Sequence, residues 1–275
     1  MRRAHVPRYV GGSSVPADIV AAGAWRDAVI ANGGTVSAGR LTTVTQFITA
    51  EINAGTWALT DDYWALWAEN TQQALTSLKQ KRLATAVAAP VFTVDRGYTF
   101  NGTSNYIATG FIPSTHSTTM TPTNMRIAGY ERTNVDGNTY TAGAGSAANV
   151  VLQLRTRVGT SCFGNHNSTS VTYTLPTATS VGYTAFSRNG ADSTASFGYK
   201  NGVAMVQSAP GTTFTSALRC SQDIYIGCQN NVGAAATFRA TSVGFLTVGI
   251  QLSAAQEQAQ YNNVQAWATA IGAQV

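Results

Sequence analysis

Apolar residues recur at helical spacing up to about Arg82 and alternate with polar ones beyond it. From Pro16, a residue suited to the first position of a helix, apolar positions fall at Ile19, Val20, Gly23, Ala24, Val29 and Ile30, and Gly33-Gly34 supplies a stop. Ser37 is placed to cap a second helix whose apolar face is Leu41, Val44, Thr45, Phe47, Ile48 and Ile52, ended by Gly55. Thr60 followed by Asp61 and Asp62 reads as a third helix start, because carboxylates favour the positive end of the helix dipole. Tyr63, Trp64, Leu66 and Trp67 load that short helix, and a last turn runs from Thr71 to Leu78. Trp57, Trp64 and Trp67 read as the core of a small helical bundle, with a sugar platform or partner patch as the alternative.

Beyond Arg82, strand-like segments are Tyr106–Ala108, Met125–Tyr130, Val150–Arg155, Val171–Leu175, Gly182–Phe186, Ile224–Gly227 and a long run from Phe238 to Val248. Asn101-Gly102, Asp136-Gly137, Asn189-Gly190 and Asn201-Gly202 mark turns between strands. Ser253-Ala254-Ala255-Gln256-Glu257 opens a closing helix of capping-box type, read as offset by one residue from the strict spacing, which ends at Gly272. The pattern predicts an α+β chain in three parts: a flexible basic arm at 1–15, a helical N-terminal domain at 16–85, and an antiparallel β-sandwich at 86–275 that ends in a helix at 253–271.

Composition narrows the chemistry. Charged residues make up 11% of the chain, far below the roughly 25% of typical soluble domains, so Ser, Thr, Asn and Gln must cover the surface. From Gly137 onward the carboxylates are Asp192, Asp223 and Glu257, too few for the converging acids that hydrolytic or metal chemistry needs. Asp95, Asp136 and Asp223 are isolated in sequence and make a poor calcium set; His5, His116 and His166 are scattered. Asp61 and Asp62 read as helix capping, and Gly143-Ala144-Gly145-Ser146 as a hairpin tip. No catalytic residue, metal ligand or cofactor is expected, and the chain reads as non-enzymatic. Cys162, Cys220 and Cys228 read as small buried apolar residues, with a Cys220–Cys228 pair as the alternative.

The net charge of +5 gathers partly at Arg2, Arg3 and Arg8, candidates for docking to a larger assembly; nucleic acid is not expected from so short a basic run. No apolar run approaches a membrane span, and the opening MRRAHVPRYVGGSSVP lacks the apolar stretch of a secretory signal, so synthesis as a soluble cytoplasmic chain is expected. Loops at 112–124, 132–149 and 163–170 are rich in Asn and Thr, and Asn138, Tyr140, Asn165 and Asn167 are the candidates for glycan contact.

Several phrases together resemble a type of tailed-bacteriophage virion surface protein. They are Trp64-Ala65-Leu66-Trp67-Ala68-Glu69-Asn70, Ala84 to Phe92, Asp95-Arg96-Gly97-Tyr98-Thr99, Asn101 to Ile107, and the ending Leu252-Ser253-Ala254-Ala255-Gln256 with Tyr261-Asn262-Asn263-Val264-Gln265. The resemblance covers roughly 20–115 and 240–272 and includes no catalytic motif. It implies a concanavalin A/laminin-G-like jelly roll displayed on a virion head or tail, as a decoration or fibre protein. Its implied partners are other virion proteins, further copies of itself (a trimer by analogy with fibres) and a host-surface glycan. A carbohydrate-binding receptor-recognition module and a glycan-degrading enzyme are the alternatives.

Overall fold

The computed structural model describes residues 16–147, 150–190, 192, 195–210 and 218–275. In chain order its elements are helices α1 (Ala17–Ala31) and α2 (Ala38–Asn53), strand β1 (Thr60–Ala65), α3 (Thr71–Leu75), β2 (Thr85–Val87), β3 (Val91–Thr93), β4 (Gly97–Thr99), β5 (Tyr106–Ala108) and α4 (Pro113–His116). There follow β6 (Asn124–Glu131), β7 (Ala142–Ala147), β8 (Val150–Val158), β9 (Ser161–His166), β10 (Val171–Thr174), β11 (Gly182–Asn189), β12 (Ser196–Lys200) and β13 (Val203–Ala204). The last are β14 (Val206–Ala209), β15 (Tyr225–Ile226), β16 (Gln229–Asn231), β17 (Ala234–Ala236), β18 (Ser242–Gly249) and α5 (Ala254–Ala270).

Two sheets face one another. The first has eight strands in the order β13-β12-β11-β6-β18-β4-β3, with β1 also paired to β18. The second has ten, in the order β14-β10-β9-β8-β7-β15-β5-β2, with β16 and β17 attached beside β7. Pairing is antiparallel except between β16 and β7. Helices α1, α2 and α5 cover the outer face of the first sheet. The protein is therefore an antiparallel β-sandwich of jelly-roll type with a helical N-terminal part and a C-terminal helix.

The first sheet is buried on both faces, and this explains a departure from the sequence reading. Residues 60–65 form a strand in place of the expected third helix. Along the segment, Trp64 and Leu66 enter the core between the sheets, whereas Tyr63, Ala65 and Trp67 enter the core beneath the helices. A strand with two buried faces reads as an unbroken apolar run, so its period is hidden. Trp64 is thus a core residue between the two sheets and Trp67 one of the layer between the first sheet and the helices, rather than of a helical bundle. Trp67 lies so close to β18 that a Cβ on Gly244 would meet its Cε3 at 2.3 Å.

The capping signals are realised in detail. Ser37 Oγ accepts from the Arg40 N–H at 3.0 Å. At α5, Ser253 Oγ accepts from the Gln256 N–H at 3.3 Å, and Gln256 Oε1 accepts from the Ser253 N–H at 3.0 Å, a reciprocal box at the strict spacing. Asn201 and Gly202 both have positive φ, 50° and 79°, as a two-residue hairpin turn with two left-handed positions requires. In α1 the buried face is Ala22, Trp25 and Val29, while Ile19, Val20 and Ile30 are exposed. The segment Gly143–Ser146 is a stretch of strand β7 inside the second sheet, not a hairpin tip. Cys162, Cys220 and Cys228 are buried free thiols.

Helix α5 is locked to the sheet by charge. Arg126 on β6 donates from Nε to Glu257 Oε1 at 2.6 Å and from Nη2 to Glu257 Oε2 at 2.7 Å. Both side chains are fully buried. Tyr183 and Gln260 Oε1 also accept from Nη2. Glu51 of α2 joins them, accepting from the Gln260 amide and the Tyr63 hydroxyl, each at 2.8 Å. Removing one partner of such a pair leaves a buried charge uncompensated, at a cost of about 3–5 kcal/mol, whereas replacing both with apolar groups is often neutral. Glu257→Ala is therefore expected to lower unfolding stability by about 3–5 kcal/mol in urea titrations at pH 7. The double change Arg126→Met, Glu257→Leu is expected to recover most of that loss; a double variant less stable than the single one would show that the pair itself supplies the stability.

Candidate functional site

The chain has twelve carboxylate side chains, and most are committed to holding the fold. Glu131 pairs with Arg239 at 2.7 Å and accepts from the Thr141 hydroxyl at 2.6 Å. Asp61 and Asp62, neighbours on a strand, point to opposite sides. Asp61 accepts from the N–H groups of Thr118 and Thr119 at 2.7 and 3.0 Å and from the Ser117 hydroxyl at 2.6 Å. Asp62 accepts from the N–H groups of Tyr63 and Lys79 at 2.9 and 3.0 Å, and burial pushes its carboxyl up to about 6. Both acids therefore anchor loops, in place of the expected helix capping. Asp95 pairs with Arg40, Asp136 accepts from the Gly159 N–H at 2.7 Å, and Asp223 accepts from the Thr109 hydroxyl at 2.8 Å. Burial raises Asp223 to about 6. Among the described residues, no group of three or more His, Cys, Asp or Glu side chains could hold a metal ion.

What remains is the outer face of the second sheet. Side chains alternate along a strand. Ile107, Leu152, Leu154, Cys162 and Ile226 point into the inter-sheet core, so Tyr106, Gln153, Arg155, Phe163, Asn165 and Tyr225 occupy the opposite face. Strand register aligns them, with Asn165 opposite Gln153, Gln153 opposite Gly143, and Gly143 opposite Tyr225. At one side the rings of Tyr106 and Tyr225 lie 4.5 Å apart between centroids, with Phe238 6.2 Å from Tyr106. Both tyrosines are half-buried. Burial, with the neighbouring Tyr106 hydroxyl, pushes the Tyr225 phenol up to about 12, so it stays a neutral donor.

In the middle, Gly143 gives the face a floor without side chains. A Cβ there would lie 2.9 Å from Gln153 Cγ and 3.1 Å from its Cα. Gln153 donates to Gln229 at 3.0 Å, a contact between two side-chain amides. At the other side Arg155 lies over the rings of Tyr140 and Phe163, 5.1 and 4.8 Å from their centroids. Its guanidinium donates to Asn138, to Ser170 and, at 3.2 Å, to Asn165.

The sequence candidates divide accordingly. Asn138, Tyr140 and Asn165 converge on Arg155. Asn167 does not join them: its amide donates to the carbonyls of Pro122 and Leu218 at 3.0 and 2.9 Å, and its oxygen accepts from the Val151 N–H at 3.0 Å. Buried and at φ 49°, it ties loops together. Arg2, Arg3 and Arg8 lie outside the described residues. Sequence reasoning missed Arg155, Gln153, Phe163, Tyr106, Tyr225 and Gln229. The signal for two of them was present in Val150-Val151-Leu152-Gln153-Leu154-Arg155, where the polar residues share one face.

No family of related sequences and no curated protein matches this chain. Solved structures do share its fold. Trypanosoma rangeli sialidase in complex with 2,3-difluorosialic acid superposes with a TM-score of 0.51 at 10% identity, over 84% of this chain and 40% of the sialidase. The same sialidase with 2,3-difluoro-KDN gives 0.53 at 11% identity, over 83% and 40%. Domain 4 of AbnA, a GH43 extracellular arabinanase from Geobacillus stearothermophilus, in complex with arabinotriose, gives 0.47 at 13% identity, over 73% and 97%. The chain thus spans less than half the length of the sialidase. The likeness corrects the expectation of a bacteriophage structural protein on a virion head or tail: this sandwich is shared with a glycan-active enzyme. Five of the few acids are also buried within the fold, so still less of their charge reaches the surface.

His166 illustrates how this interior treats charge. Its ring is fully buried, 6.4 Å from Phe186, and burial pushes its pKa down to about 3. A depressed imidazole is neutral in the folded state, while the unfolded chain takes up a proton near pH 6.5. The resulting stability is fully present above pH 6.5 and is lost as pH falls toward 3. Relative to His166→Leu, the native chain is therefore expected to lose about 2 kcal/mol between pH 6.5 and 4.5, measured by urea unfolding. Parallel pH profiles for the two proteins would refute this assignment.

Proposed function

We propose that this chain is a glycan-binding module whose site is the outer face of the ten-stranded sheet, without hydrolytic chemistry of its own. The observation that carries the reading is the ordered row across that face: the Tyr106–Tyr225 aromatic pair, the glycine floor, the Gln153–Gln229 amides and Arg155. Sugar rings present apolar C–H faces and a rim of hydroxyls. Aromatic side chains suit the first, and amides fixed at short range suit the second. Neutral groups dominate the face, which matches recognition of hydroxyl-rich ligands. The fold shared with a carbohydrate-active enzyme supports the same reading. Commitment of the carboxylates to ion pairs and loop anchors supports binding rather than glycosidic cleavage of the usual kind, in which two acids flank one bond.

A glycan array and affinity electrophoresis with plant and animal polysaccharides test the proposal. The native protein is expected to retain at least one polysaccharide. Tyr225→Ala and Tyr106→Ala are each expected to weaken that retention about tenfold, the equivalent of about 1.4 kcal/mol, with the fold intact by circular dichroism. Retention of the same ligand by both variants at native strength would place the site elsewhere.

A further inference from the structure

We infer that Arg155 receives an anionic group, foremost a carboxylate, on the glycan bound at this face; the inference rests on the glycan-binding reading and names its ligand class. The basis is how this fold otherwise treats buried guanidinium groups. Five arginines are buried: Arg40, Arg126, Arg155, Arg188 and Arg239. Three of them hold a carboxylate, Arg40 with Asp95, Arg126 with Glu257 and Arg239 with Glu131. Arg188 is held by the carbonyls of Gly190, His166 and Asn167 at 2.7, 2.9 and 2.8 Å, with Asp192 acting on it electrostatically.

Arg155, 8% exposed, has neither arrangement. Its acceptors are the side-chain oxygens of Asn138, Asn165 and Ser170, all neutral. Its Nε is buried without a hydrogen-bond partner. No ion pair among the described residues reaches it, although all twelve acidic side chains lie within them. Burial lowers its affinity for the proton, as a cation lacking an adjacent counter-charge requires. Removing a cation from water without pairing it is costly, and the two ring faces offset only part of that cost.

The geometry leaves a route for an anion. Tyr140 and Phe163 engage the guanidinium through their rings, and the acceptors that meet its N–H groups are small polar side chains at the surface end. Asn138 is exposed, and Asn165 and Ser170 are half-exposed. A carboxylate displacing Asn138 and Ser170 would gain charge-assisted bonds in the planar fork that a guanidinium offers, at the end of the row begun by Tyr106 and Tyr225. Uronic and sialic acids carry such a carboxylate. A sulfated sugar offers the same charge and is distinguished by experiment.

Isothermal titration of the full chain with 3′-sialyllactose and trigalacturonic acid, each against its neutral counterpart, tests this, with a heparin-derived disaccharide as the sulfate arm. Native protein is expected to bind an acidic ligand about tenfold or more tightly than the neutral one, a preference that shrinks as salt is raised. Arg155→Gln is expected to abolish the preference by weakening the acidic ligand at least about tenfold more than the neutral one, and to leave Tm unchanged or raised, because an unpaired buried charge has been removed. Arg155→Lys, which keeps charge without the fork, should retain only part of the preference. Preference for the sulfated ligand alone supports the anion site with sulfate as its source. Equal native affinity for acidic and neutral ligands overturns the inference and leaves glycan binding standing; so does an Arg155→Gln variant with lowered Tm and equal loss of both. Absence of binding to every ligand, neutral ones included, overturns both readings.

Discussion

The Arg126–Glu257 pair is the constraint on which the architecture turns. The eight-stranded sheet is apolar on both faces, so a layer must cover the side that the second sheet does not reach. Helices α1, α2 and α5 supply that layer, but apolar packing alone tolerates sliding and rotation. A two-pronged contact from the middle of β6 to the first turn of α5, extended through Gln260 to Glu51 of α2, fixes one docking position. Buried ion pairs contribute little net stability compared with apolar replacements. Their effect is to make misaligned arrangements costly, because any shift strands a charge.

The same arrangement explains why so little charge reaches the surface. Glu131 with Arg239, Asp61 with the Ser117–Thr119 loop, and Asp62 with the turn at Lys79 spend carboxylates on joining segments distant in sequence. The outer face of the second sheet is left with amides, hydroxyls, aromatic rings and one guanidinium. Such a face suits a patterned, hydroxyl-rich surface, with one cationic position in the site. The placement of each acid thus accounts for a largely neutral outer face, the feature on which the proposed glycan binding rests.

Part of this was legible in the chain. Helix ends were, because Ser37, Ser253 with Gln256, and the Asn201-Gly202 turn act through bonds within a few residues. The strands at 124–131, 150–158 and 182–189 were, because runs of apolar and β-branched residues are local. Strand β1 was hidden because burial of both faces erases alternation, and the adjacent aspartates imitate a helix start. Strand β7 was hidden because Gly143 and Gly145 look like turn residues, whereas they are small since β8 packs against them. Of the site, the loop residues Asn138, Tyr140 and Asn165 were identifiable by type. The residue that gathers them, Arg155, was not, because its neighbours come from three separate segments.

Scarcity of carboxylates first suggests an inert surface, but in the folded chain it sharpens the meaning of a single exception. In a protein with abundant acids, a buried arginine lacking a partner could be satisfied by a modest rearrangement. Here three acids already serve Arg126, Arg239 and Arg40, and breaking any of those pairs would strand another buried cation, while Glu51, Asp61 and Asp62 are held by buried hydroxyl, amide and N–H groups. Arg155 therefore cannot be neutralised cheaply from within, and its charge is conserved at the edge of a face otherwise built from neutral groups. An anion brought by a ligand completes the electrostatics without disturbing the fold. Because Asn138 and Ser170 occupy the same N–H groups when no ligand is bound, the site avoids an open polar cavity while remaining ready to exchange partners.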